Sequence, residues 1–161
     1  MLIRFTRLTN DRHRFEIVRD DGTREARELE TRSALEHDLA HYAVELEAGL
    51  SESFYGRLAQ GITYDELTTV PMISGEALQT EGVVVRFQDS PEFGSDPERC
   101  VREIVSGFAA MGREPPTWVT ADFVARARER LRRVRGLWRA TPFHRTMELE
   151  FPKRAGASIA P

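Results

Sequence analysis

The chain has a single cysteine, Cys100, among 161 residues. One thiol excludes an internal disulfide framework and a structural zinc site built from cysteines. Long apolar runs are missing too. None approaches the roughly 18 residues needed to cross a bilayer, and the opening Met1-Leu2-Ile3-Arg4-Phe5 is broken by charge too early for a secretory signal. There is no Gly-rich phosphate loop and no Gly-x-Ser-x-Gly elbow. Lysine is nearly absent: Lys153 is the only one among 23 Lys+Arg, which codon usage explains without a phosphate-binding role. A net charge of −3 lacks the basic footprint that nucleic acid requires. These absences point to a soluble cytoplasmic protein, with neither membrane nor nucleic acid among its partners.

The residues present describe a folded domain: 40% are hydrophobic and 30% charged, a balance that favours a packed core over disorder. Residues 2 to 30 read as strands. Ile3 and Phe5 alternate with polar residues, as do Phe15 and Ile17. Asn10-Asp11 marks one turn and Asp20-Asp21-Gly22 a second, where glycine supplies the positive φ of a tight hairpin. Thr23 to Glu30 makes a third, very polar strand.

Helices follow. Ser33-Ala34-Leu35-Glu36 fits a capping box, and Gly49 a left-handed helix end. Ser51 opens a second helix ending at Gly61, and Thr63-Tyr64-Asp65-Glu66 is a second capping box. Residues 70 to 75 read as loop. Glu76 to Gln88 is ambiguous: Val83-Val84-Val85 suggests a strand, whereas Ala77, Leu78, Glu81, Val84, Val85 and Gln88 recur at helical spacing. Helix is the chosen reading. After a loop over 90 to 97, Cys100, Val101, Ile104, Val105 and Phe108 mark one face of a helix over 98 to 111. Thr120 caps a long helix to about Arg139, with a stripe of Phe123, Val124, Ala127, Leu131, Val134 and Trp138. Its arginines spread around the axis and read as a solvated surface. Thr146 to Phe151 alternates as a final strand.

Strands segregated from helices mean α+β. The expectation is one domain over 1–152, with an N-terminal antiparallel meander of about three strands. A C-terminal strand joins the same sheet, four to five helices pack on it, and a frayed tail covers 153–161.

One constellation carries chemistry. His37 and His41 stand four residues apart on the first helix, so they project on one face. That spacing lets two imidazoles grip one metal ion, as in the zincin pattern His-Glu-x-x-His. Asp38 takes the second position and is one methylene shorter than glutamate. It either acts on a metal-bound water or holds a ligand histidine. Glu45 continues the face but lies eight residues from His37, about 12 Å along the axis. It therefore joins His41 alone or stands behind it, and with Asp38 it is an expected catalytic residue, one of the two orienting a ligand or acting on the bound water. Glu81, if helical, places a carboxylate among apolar neighbours, which is costly unless it is paired or bound to metal. Glu81 is the expected third ligand, with His144 in reserve. Zinc or another divalent ion is the expected cofactor.

Leu29-Glu30-Thr31-Arg32-Ser33, followed by His37-Asp38-Leu39-Ala40-His41-Tyr42-Ala43-Val44-Glu45, resembles a group of small bacterial proteins. Their helix carries His-Asp-Leu-x-His-(Tyr/Phe)-x-Val-Glu after a strand meander. The likeness covers roughly the first third of the chain. It implies that this helix is the focal region and implies no activity. His37-Asp38 also bears comparison with the HD-type phosphohydrolases. Those are all-helical and need an earlier helical histidine, whereas His13 falls among the strands here. Two functional readings follow: a metal-binding, hydrolase-like protein, or a non-catalytic binding or scaffold domain with structural histidines. The partner is a small molecule or a protein, a second copy of the chain included.

Overall fold

The computed structural model describes residues 1–69, 75–89 and 96–152. Four strands, β1 (Leu2–Arg7), β2 (Arg12–Val18), β3 (Arg24–Glu30) and β4 (Thr146–Glu150), form one antiparallel sheet in the order β3-β2-β1-β4. The final strand returns to the first: Phe5 stands between Phe15 on β2 and Met147 on β4, and Ile3 between Ile17 and Leu149. Period-two alternation explains the sidedness. Ile3, Phe5, Phe15, Ile17, Met147 and Leu149 are buried beneath the helices, while Arg4 and Glu148 pair on the other face at 2.8 Å. His13 takes the next inward position on β2 and is wholly buried.

Strand β3 is polar on both faces because its inward charges are paired. Glu25 meets Arg19, and Arg27 donates to Asp65 at 2.6 Å while its guanidinium lies over the Tyr64 ring.

Six helices are present among the described residues, against four to five expected: α1 (Ala34–Ala48), α2 (Phe54–Gln60), α3 (Tyr64–Thr69), α4 (Gly75–Asp89), α5 (Pro97–Ala110) and α6 (Ala121–Ala140). The central helix is α1, which touches β3, α2, α4 and α6. It is therefore buried all round from Asp38 to Glu45.

Its start differs from expectation. Ser33 makes no side-chain cap; its N–H and hydroxyl both donate to Glu30, at 2.7 and 2.8 Å. Glu36 turns instead to Arg135 of α6, at 2.7 Å. The second capping box does form: Glu66 N–H donates to Thr63 Oγ1 at 3.2 Å, and Thr63 N–H to Glu66 at 2.8 Å. Helix α2 begins after Ser53 rather than Ser51.

Helix α4 buries Ala77, Thr80, Val83, Val84 and Phe87, leaving Leu78 and Val85 exposed. Its inner face is thus rotated from the expected one. On α5, Cys100, Ile104 and Phe108 are buried as expected, but Val105 is exposed. Helix α6 buries all six residues of its expected stripe, and Thr120 accepts the Phe123 N–H at its start. Arg126 and Arg130 reach Glu47 on α1, so part of the arginine surface clamps the two helices. Most of the loops expected over 70–75 and 90–97, and the tail over 153–161, lie outside the described residues.

Candidate metal centre

The pair on α1 is held in two environments. His41 is buried between helices, with its side chain 1% exposed, while His37, one turn earlier, is 37% exposed. Their ring centroids are 4.5 Å apart. Helix α4 packs beside them and presents Glu81 from the flank of its buried face. The carboxylate reaches both rings: His41 Nε2 lies 2.9 Å from Glu81 Oε1, and His37 Nε2 lies 3.4 Å from Oε2. One ligand atom from each of the three residues falls within 4.8 Å of the other two. Nitrogen and oxygen ligands about 2.0–2.1 Å from a shared tetrahedral ion lie about 3.3 Å apart; the 2.9 and 3.4 Å separations are of that order and run to different oxygens of Glu81. His41 Nε2 is buried and makes no regular hydrogen bond, although Glu81 Oε1 lies 2.9 Å away. The group His37, His41 and Glu81 could hold a metal ion.

Glu45 stands on the opposite edge of the His41 ring. Its Oε1 lies 2.8 Å from His41 Nδ1. Its Oε2 accepts the N–H groups of Tyr55 and Gly56, at 2.9 and 3.1 Å. A fully buried carboxylate is costly alone; here an imidazole and two backbone donors at the start of α2 satisfy it. Gly56 is required at that approach, since a Cβ there would lie 2.5 Å from the Ser51 backbone. Phe54 closes the pocket, its ring 5.5 Å from that of His41.

Asp38 is buried on the same side of the histidines as Glu45. Its Oδ1 is 3.9 Å from His37 Nδ1, beyond hydrogen-bond range, and its Oδ2 has no hydrogen-bond partner. Both acidic residues thus face Nδ1 atoms, while both Nε2 atoms face Glu81. The other two histidines lie elsewhere. His13 packs against Phe5 and Trp138. His144 is exposed in the turn before β4 at φ 61° and is not one of the three clustered residues.

The charges follow the geometry. Burial opposes charge on His41, but Glu45 and Glu81 more than offset it and raise its pKa to about 10. Asp38 and then Glu81 raise that of His37. Burial works against ionisation of Glu81, yet the two imidazoles hold its carboxyl well below the usual carboxylate range. Burial pushes Glu45 upward, with His41 and the two amides pulling the other way. The centre thus sets a carboxylate against two imidazoles whose charged forms it favours.

Comparison of the chain with protein-family models, with curated proteins and with solved structures finds no match.

Function is accordingly read from the site. Sequence spacing found the two histidines and nominated Glu81. It missed Phe54, Tyr55 and Gly56, whose only signal was a glycine inside a short helix.

Proposed function

We propose that this chain is a divalent-metal-binding protein, with His37 Nε2, His41 Nε2 and Glu81 as protein ligands and zinc as the first candidate. Two nitrogens and a carboxylate oxygen suit zinc, and three protein ligands leave a position for water or substrate. The observation that carries the reading is His41 Nε2: buried, without a hydrogen bond, and facing a carboxylate at 2.9 Å. Glu45 acts as a positioning residue, fixing the His41 ring through Nδ1 as carboxylate–histidine–metal pairs do. Asp38 does the same for His37, as a charge rather than a bonded partner. The chemistry such a centre supports is hydrolytic, through a metal-activated water. The substrate is a small molecule or an exposed group of another protein.

A second reading is supported by Glu81 bridging both rings without any ion. In it the histidines are structural and the domain is a non-catalytic scaffold. Elemental analysis of purified protein separates the two. We expect one equivalent of metal in the unaltered chain, and loss of it in both His37→Ala and His41→Ala with the fold intact by circular dichroism. A folded, metal-free protein that takes up no zinc on titration would leave only the scaffold. Among the described residues no helix is long and apolar enough to cross a membrane. A cytoplasmic location is part of this proposal, on the sequence grounds given above.

A further inference from the structure

A different part of the molecule gathers positive charge. Between the C-terminal half of α4 and the outer face of α5 lies a cleft of about 420 Å³, lined by Arg86, Arg99, Arg102, Glu103, Ser106 and Gly107. Three guanidinium groups meet one carboxylate there, in a chain whose net charge is −3. Glu103 is already engaged by Arg99 Nε at 2.7 Å. Neither Arg86 nor Arg102 forms an ion pair among the described residues.

The cleft depends on a missing side chain. At Gly107 a Cβ would lie 3.0 Å from Arg86 Nη2, so the guanidinium of α4 rests over the bare backbone of α5. Like charges gathered without a counterion repel one another, and an anion seated among them removes that repulsion. Arginine suits oxyanions in particular, because its planar fork donates two parallel hydrogen bonds.

We infer that this cleft is an oxyanion-binding site, built for a phosphate-type dianion held by Arg86 and Arg102, with the Ser106 hydroxyl as a further donor. Free phosphate and the phosphate of a larger small molecule share this chemistry. The inference is independent of the metal centre and stands whether or not that centre binds zinc.

The test titrates chelator-treated, metal-free protein with inorganic phosphate at constant ionic strength, following backbone amide shifts by NMR. Pyrophosphate and succinate titrations run in parallel. We expect saturable shifts centred on Arg102, Ser106 and Gly107, with phosphate or pyrophosphate binding more tightly than succinate. Arg86→Gln with Arg102→Gln should weaken binding by at least about tenfold, equivalent to about 1.4 kcal/mol. Arg132→Gln, on α6 and paired with Glu129 outside the cleft, should leave it unchanged. Gly107→Ala should remain folded, since its new methyl meets only the end of a flexible side chain, yet should also weaken binding by displacing Arg86. Shifts that never saturate, or that persist in the double variant, would overturn the site. Tighter binding of succinate than of either phosphate would overturn its chemistry. Pyrophosphate saturating well below phosphate would point to a larger phosphorylated molecule as the natural occupant.

Discussion

His41 lies between two carboxylates, and the sign of its effect on stability follows. Its folded pKa is raised to about 10 from an ordinary 6.5. A group raised on folding stabilises the protein fully below its unfolded value, and that contribution is lost as pH climbs through the folded one. Metal-free protein should therefore lose resistance to urea between about pH 7 and pH 10. Glu81, held low, sets the opposite limit: its contribution is present above the usual carboxylate range and fades as pH falls through its depressed value. Zinc bound as proposed would take the place of a proton on these groups, so saturating zinc should flatten the alkaline decline. Urea midpoints measured across that range, with and without zinc, check both statements. An unchanged midpoint from pH 7 to 10 in metal-free protein would remove His41 from the ionic network.

At the scale of elements, the start of α2 is where the centre depends on backbone. Gly56 supplies an N–H to Glu45 and lies against Ser51. Gly56→Ala sets a methyl against main chain that cannot rotate away, unlike the flexible arginine met at Gly107. We expect it to destabilise the domain by about 1–3 kcal/mol, the usual cost of overpacking. It should also loosen the hold on His41, so that zinc affinity falls while His37, His41 and Glu81 remain in place. Urea denaturation and zinc titration of the same sample measure the two effects.

The elements also show what a sequence can and cannot display. Helix α6 was legible residue by residue, because it has one neighbour side and a plain apolar stripe. Helix α4 was legible as a helix but not in its orientation. Leu78 and Val85 look like core residues and are exposed, whereas Thr80 looks polar and is buried. Its hydroxyl is satisfied by the Glu76 carbonyl at 2.8 Å and by Ser53 Oγ at 2.6 Å, and no periodicity of apolar residues records such partners. The same limit applied at Ser33, where Glu30 and Arg135 decided the outcome from outside the four-residue pattern. His37 and His41 were readable because their relation is local. Glu81 could be named as a candidate, but its meeting with both rings depends on how α4 rests on α1.

Across the whole molecule, the sheet has two edges and the helices cover one face. The β3 edge carries Glu25 and Arg27 facing inward, each engaged by neighbours. Inward charges on an edge strand deter another sheet from adding to it. Arg27→Val would remove the partner of Asp65 and make the edge apolar. We expect a concentration-dependent rise in apparent mass by light scattering, with the unaltered protein as reference. An unchanged mass at high concentration would show that the edge is protected by other means.

Glu45 divides its two oxygens between a histidine ring and the first peptide groups of another helix. A change at the Nε2 edge of His41, metal binding as proposed among them, would thereby be felt in the hydrogen exchange of two amides, Tyr55 and Gly56, that lie on the far side of Glu45. Those amides would make an internal reporter of the site, readable without a substrate or a colour change.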